Sequence, residues 1–210
     1  MTTVAAPVHL GPDDVVAGRA FTHPDHVEPD RAVMYLLARD FHRHLTESGE
    51  GPDPVIRHLP GPDDWYRRVV IPRPSEVAGC DRLTVVGFFG RVRDEVDPAV
   101  EAEIKALSDR LVDAVLTTPD VLGYSTHLLA DERNYANLVI VRGTEVLDRW
   151  RSVDPHPRAA ADVSPDYYRH VRIYRGAIAG AELCDGTVRL DSVKYWDYRD
   201  DPVWHAVRRL

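Results

Sequence analysis

The stretch that most restricts the fold begins at Asp97-Pro98. Aspartate favours the N-cap of a helix and proline its first turn. Val100, Ile104, Leu107, Leu111 and Val115 follow at spacings of 4, 3, 4 and 4. That is a single apolar stripe on a helix about five turns long. It stops at Thr117-Thr118-Pro119, because the residue before a proline avoids helical geometry. A helix with one apolar face must lay that face on a second layer, and the flanking sequence reads as a sheet.

Before the helix, LTVVGFFGRV from Leu83 reads as a strand, with Gly87 and Gly90 marking a bulge or a close backbone approach. After it, VLGYSTHLLA from Val121 is a second strand and DERNY a turn. The apolar run Ala136 to Val141 is a third strand, buried on both faces. A short amphipathic helix holding Trp150 leads to a Pro-flanked His156. Tyr167 to Arg175 then alternates as a fourth strand does, and TVRLDSVKYWDY supplies one more. Strand, helix, strand, strand, short helix, strand is the ferredoxin-like βαββαβ plan, an α+β fold with an antiparallel sheet. Helices on one face leave the other bare. Val85, Phe89, and Tyr124 or Leu128 would lie there, and the simplest cover is a second copy across a two-fold axis. This predicts a homodimer forming an α/β barrel from residues 81–210.

Residues 1–80 read as an N-terminal extension. The first 29 are an irregular arm rich in Pro, Asp and His. Asp30 precedes a helix carrying Met34, Leu37, Phe41 and Leu45 on one face, ended at Gly49. Beyond it Gly-Pro and Asp-Pro breaks surround one short extended piece, Trp65 to Ile71. The segment has too few strands to close a core of its own.

Composition narrows the classes. The net charge is −8, with 34 acidic against 26 basic residues, and the arginines are scattered; no nucleic-acid partner is expected. No apolar run approaches the roughly 20 residues a membrane helix needs. MTTVAAPVHLGPDD lacks the pattern of a signal peptide. Two cysteines, Cys80 and Cys184, make no disulfide framework. A cytoplasmic protein is expected. Ten histidines invite a test for metal. His42 and His44 would point to different sides of their helix, and no cysteine or acidic ligand falls at a zinc-finger spacing. No metal site is predicted. Phosphate-binding glycine loops, the G-x-S-x-G elbow and nucleotide fingerprints are lacking too.

The chemistry concentrates on the fourth strand. Alternation puts Tyr168, His170, Arg172 and Tyr174 on one face, and Tyr167, Arg169, Val171, Ile173 and Arg175 on the other. Arginine can hold a carboxylate or enolate, and tyrosine or histidine can relay protons to it. The competing reading is a solvated strand face. His127, on the second strand, is another imidazole that could enter a cavity. Trp150 reads equally as core packing, and His156 as part of an exposed turn.

Residues 83–198 resemble the dimeric α/β-barrel superfamily, which contains antibiotic-biosynthesis monooxygenases, haem-degrading monooxygenases and relatives of the aldoxime dehydratases. The likeness rests on the strand order and on Trp150-Arg151-Ser152, then His156, then Ala159 to Ala161. It implies an intersubunit lumen holding a small organic molecule and, in some members, haem b. In the haem-degrading branch the helix histidine is the axial ligand and the tryptophan distorts the porphyrin, which would assign His156 and Trp150 to cofactor binding. The chain departs from that branch in two respects. Trp150 and His156 are only six positions apart, and Gly87-Phe88-Phe89 lacks the distal asparagine. The resemblance implies a tailoring enzyme, oxygenase or haem-dependent, acting on a small conjugated or aromatic substrate. A lyase, isomerase or cyclase, or a non-catalytic ligand-binding dimer, is the alternative.

Overall fold

The strand from Arg82 to Val92, with Thr84, Val85 and Val86 near its start, pairs along its whole length with the strand from Tyr168 to Ala179, and the other elements are built outward from this pair. A computed structural model describes residues 3–49, 51, 53–59, 67–129, 133–179 and 188–210. In chain order these form β1 (Val8–Leu10), α1 (Val27–Ser48), β2 (Val55–His58), β3 (Arg67–Ile71), α2 (Pro74–Ala78), β4 (Arg82–Val92), α3 (Pro98–Thr117), β5 (Val121–Leu128), β6 (Asn134–Val141) and α4 (Val146–Ser152). Then come α5 (His156–Arg158), a π-helical turn (Ala159–Val163), α6 (Ser164–Tyr167), β7 (Tyr168–Ala179), β8 (Arg189–Asp197) and β9 (Trp204–Arg209). The described strands make one mixed sheet, within an α+β fold, in the order β1-β9-β8-β7-β4-β6-β5-β3-β2. Only β1, parallel to β9, breaks the antiparallel pattern.

From β4 onward the chain runs through α3, β5, β6, the short helices α4 to α6 and β7. Asp97 caps α3, its carboxylate accepting from the Ala99 N–H at 2.8 Å. Val112, Val115, Trp150, Val146 and Leu147 pack beneath α3 and α4 on one face of the sheet. The sequence reading does not anticipate β1, β2 or β9. Each is short and lies at or next to a sheet edge, where little alternation accumulates.

The second face is where expectation and structure part. It is not bare. Met34, Leu37, Ala38 and Phe41 of α1 sit in one cluster with residues from eight strands, including Val69, Val85, Phe89, Leu138, Tyr174, Val193 and Ala206. The sheet therefore wraps around α1. Two glycines admit the helix. A Cβ on Gly87 would lie 2.4 Å from the Met34 sulfur, and one on Gly123 would lie 2.3 Å from the Phe41 ring. Val85 and Phe89 do face this side, but Tyr124 and Leu128 face the α3–α4 layer. The premise that called for a second copy, an uncovered sheet face, is thus met within one chain. Residues 1–80 supply α1 and three strands to the common sheet and core.

The fourth-strand face also needs correcting. In the pairing of β4 with β7, Arg91 lies opposite His170 but Val92 lies opposite Tyr168, so Arg169 is an inserted residue. Such a bulge shifts the alternation by one. Tyr168 consequently faces away from α1 and joins Tyr135, Tyr167 and Val171 in a separate aromatic cluster. Tyr167 itself ends α6 and is not part of the strand. Among the described residues no helix is long and apolar enough to cross a membrane.

Candidate active site

Where α1 begins, the rolled sheet is left open, and a cleft of about 520 Å³ lies there. That volume is in the range of small-molecule sites. Gly18, Ala20, Phe21 and His26, from the arm leading into α1, form one side. Arg91 and Asn134, at adjoining ends of β4 and β6, form another. Arg169, His170 and Arg172 of β7 and Arg199 after β8 complete it. The arm is fastened in place. Arg208, with no exposed surface, donates to the carbonyls of Asp14 and Thr22 at 2.8 and 2.9 Å and to the Tyr195 hydroxyl at 3.2 Å. Arg199 donates to the Gly18 carbonyl at 3.1 Å.

Of the expected residues, His170 and Arg172 line this cleft, and Tyr174 lies just behind them. Arg172 is already engaged. Its Nε and Nη2 donate to the two carboxylate oxygens of Asp30 at 2.6 and 2.9 Å, and the Tyr174 hydroxyl donates to Asp30 Oδ2 at 2.7 Å. Burial works against the guanidinium charge, but the Asp30 carboxylate outweighs it and raises the Arg172 pKa. Burial and the same carboxylate push the Tyr174 phenol well up, so it remains a donor. The sequence reading takes Asp30 for a residue preceding the helix. In fact α1 starts at Val27, and Asp30 turns inward from its first turn.

His170 stacks on Phe21, with centroids 4.2 Å apart and planes inclined by 15°. Burial, then the charge of Arg172, lowers its pKa to about 3; Arg199 and Arg169 add to this and Asp197 opposes it. The imidazole is therefore neutral across the physiological range. Burial and Arg172 also lower His26. Asp197, fully buried, would be raised by burial alone. Hydrogen bonds from Arg199, one of them at 2.8 Å, and the charges of Arg199 and Arg19 hold it below the usual carboxylate range.

The structure does not bring the other expected residues here. Tyr168 is across the sheet in the aromatic cluster. Trp150 is a core residue beneath α4, on the opposite face from α1, with the His156 ring against it at 5.7 Å. His127, half-buried on β5, lies on the α1 side within the fields of Arg67 and Asp40. None of these lines the cleft. Sequence reasoning also misses Arg91, Arg169, Arg199, His26 and Asn134. Continuing the Val85–Gly87–Phe89 alternation by one step reaches Arg91. The bulge that turns Arg169 inward leaves no signal in the chain.

Haem is the cofactor the resemblance implies, and the cleft does not fit it. A macrocycle needs apolar walls and an imidazole aimed at iron. Here the wall is guanidinium-rich, and His170 is held flat against Phe21. Among the described residues no group of three or more His, Cys, Asp or Glu is placed to hold a metal ion.

No protein-family model matches the chain, and no curated protein does. Solved structures similar to it include protein SO0527 from Shewanella oneidensis, 20% identical over 47% of this chain and 95% of that one, with a TM-score of 0.38. SnoaB, a cofactor-independent oxygenase from Streptomyces nogalater, is 14% identical over 47% of this chain and 91% of its own, with a TM-score of 0.34. An aldoxime dehydratase is 14% identical over 76% of this chain and 41% of its own, with a TM-score of 0.29.

Proposed function

We propose that the chain is a small-molecule tailoring enzyme whose substrate, a small conjugated or aromatic compound, binds in the cleft at the start of α1. The β4-to-β7 unit serves as a ferredoxin-like scaffold for it. One observation carries the reading: a neutral imidazole, His170, stands in a wall of arginines beside an aromatic ring. A neutral imidazole can accept a proton, and conjugation makes a C–H or O–H acidic enough to give one up. The anion so formed is stabilised by the surrounding guanidinium groups. Free His170, at about 3, is a weak base at pH 7. A negative charge developing beside it offsets the field of Arg172, Arg199 and Arg169 and raises its affinity for the proton. Base and anion therefore assist one another.

The first version of the chemistry is oxygenation without a bound cofactor. The substrate anion gives its electrons to dioxygen; one oxygen atom enters the product as a carbonyl replacing CH₂, and the other leaves as water. The second version stops at proton transfer, as a lyase, isomerase or cyclase would. An oxygen electrode with a panel of enolisable aromatic substrates tests both. Oxygen uptake matched to product, abolished in His170→Asn, supports the first. Product formed equally under anaerobiosis supports the second. A panel turned over unchanged by His170→Asn refutes the base assignment. A Soret band on hemin addition that is lost in His156→Ala would instead revive the haem reading. The chain is proposed to work as a single subunit, since α1 occupies the face a partner would have covered; light scattering of the purified protein checks this.

A further inference from the structure

We infer that Arg91, Arg169 and Arg199 form a docking site for an anionic group of the substrate, a carboxylate or a phosphate ester, while Arg172 is reserved for Asp30. The inference rests on the cleft being the substrate site and adds what the substrate must carry.

Arg172 is the obvious anion holder from sequence, and the structure removes it from that role. Both oxygens of the Asp30 carboxylate already satisfy its fork, and the pair is buried, with side-chain exposures of 14% and 8%. An incoming anion would have to displace an internal one that also binds Tyr174. The other three guanidinium groups are differently placed. Arg169 makes one long contact, 3.4 Å to Asp94, and Asp94 also accepts from Arg133 at 3.0 Å. Arg199 also gives its Nε and Nη2 to the two oxygens of Asp197, at 2.8 and 2.5 Å, and its Nη2 to the Gly18 carbonyl, but its side chain is 34% exposed against 14% for Arg172, and it lines the cleft. Arg91 reaches the cleft from β4. The cleft wall contains no carboxylate side chain among the described residues.

The bulge supplies a second, independent observation. A regular β7 would send Arg169 to the α3 side, as the alternation predicts. The inserted residue between the Arg91–His170 and Val92–Tyr168 pairs breaks the ladder at this residue and brings Arg169 to the cleft. Bulges cost regular pairing and are used to re-aim a side chain beside a site. Next to this cluster the Phe21–His170 stack offers a flat wall. Anionic at one end and planar at the other is the chemistry these surfaces recognise together.

Calorimetric titration of the full chain at low salt tests this, with benzoate, phenyl phosphate and benzyl alcohol as probes. One of the two anions should bind saturably, and the tighter one identifies the head group. Its affinity should fall as salt is raised, and benzyl alcohol should bind at least about tenfold more weakly. Arg169→Gln and Arg91→Gln should each weaken the anion about tenfold or more, with melting temperatures close to wild type. Arg169→Lys should recover part of the loss, since it keeps the charge without the fork. Arg110→Gln, on the far side of α3, should change nothing. Benzyl alcohol binding as tightly as both anions, or anion affinity indifferent to Arg169→Gln and Arg91→Gln, overturns the inference. Binding is read without turnover, so the two proposals fail separately. Arginine-dependent binding in a protein whose turnover ignores His170→Asn removes only the catalytic reading. Turnover that needs His170 while binding ignores the arginines removes only this one.

Discussion

Replacing Asp30 by asparagine should destabilise the protein by about 3 kcal/mol, and the reason is the company it keeps. The carboxylate accepts three hydrogen bonds, at 2.6, 2.9 and 2.7 Å, from Arg172 and Tyr174. Both members of the ion pair are mostly out of water, at 8% and 14% side-chain exposure. Breaking a buried pair by removing one partner costs about 3–5 kcal/mol, because the other charge stays buried and uncompensated. Asparagine keeps the shape and one acceptor, which places the expected loss at the lower end. For a chain of this size about 3 kcal/mol corresponds to roughly 6–12 °C in melting temperature. Urea unfolding with linear extrapolation, run beside calorimetry, measures it. The decisive variant is the pair Asp30→Leu with Arg172→Met. It removes both charges and fills the space with apolar atoms, so it should be more stable than Asp30→Asn. A cost below about 1 kcal/mol for Asp30→Asn is what an exposed pair gives. That result would show that α1 is not clamped into the sheet as described, and the account of the cleft would fall with it.

Three other outcomes follow from the same geometry. His170 has a folded-state pKa of about 3 against an ordinary 6.5; between these values the unfolded chain takes up a proton that the native protein refuses. Stability should therefore fall as pH drops from about 6.5 towards 3, by up to about 1.4 kcal/mol per pH unit from this residue. His170→Phe should flatten that part of the curve, and an unchanged slope would contradict the assignment. Gly123→Ala drives a Cβ into the Phe41 ring and should cost about 1–3 kcal/mol; Phe41→Leu in the same chain should recover part of it in urea unfolding. Deleting residues 1–48 removes α1 and uncovers the largest apolar cluster among the described residues, so the remainder should aggregate or self-associate on size exclusion. A soluble, cooperatively folded monomer would refute the helix's role as core.

Much of this was legible in the chain, and where it was not the reason is specific. The α3 stripe and its cap follow from local rules that tertiary context does not override: Asp97 bonds the Ala99 N–H as an N-cap should. The α1 stripe is also readable, with Met34, Leu37 and Phe41 all buried. What the stripe packs against is not, since amphipathicity says that a face is buried and never by what. Gly87 marks a close approach in the sequence, yet only the structure identifies Met34 as the approaching group. His170 and Arg172 share a face because alternation holds between them. Tyr168 leaves that face because one residue, Arg169, interrupts the period. A pattern of period two has no memory of an insertion; every assignment on the far side of a bulge inverts.

The helix inside the sheet links these points. A sheet that another copy would have to cover has a lumen shared between two chains, and its polar groups must answer to a partner. Here α1 fills that face with Met34, Leu37, Ala38 and Phe41 and brings its own carboxylate, Asp30, to neutralise Arg172 of β7. What remains open is only the end of the roll, where α1 begins and the arm carrying Phe21 and His26 crosses over. Charge placement then follows from position. Arg172, beneath the first turn of α1, is compensated internally. Arg91, Arg169 and Arg199 line the open end, and Arg169 and Arg199 do so while paired with Asp94 and Asp197. The distinction proposed between a structural arginine and a binding arginine on this face thus follows exposure, 14% for the Arg172 side chain against 34% for Arg199 and 43% for Arg169.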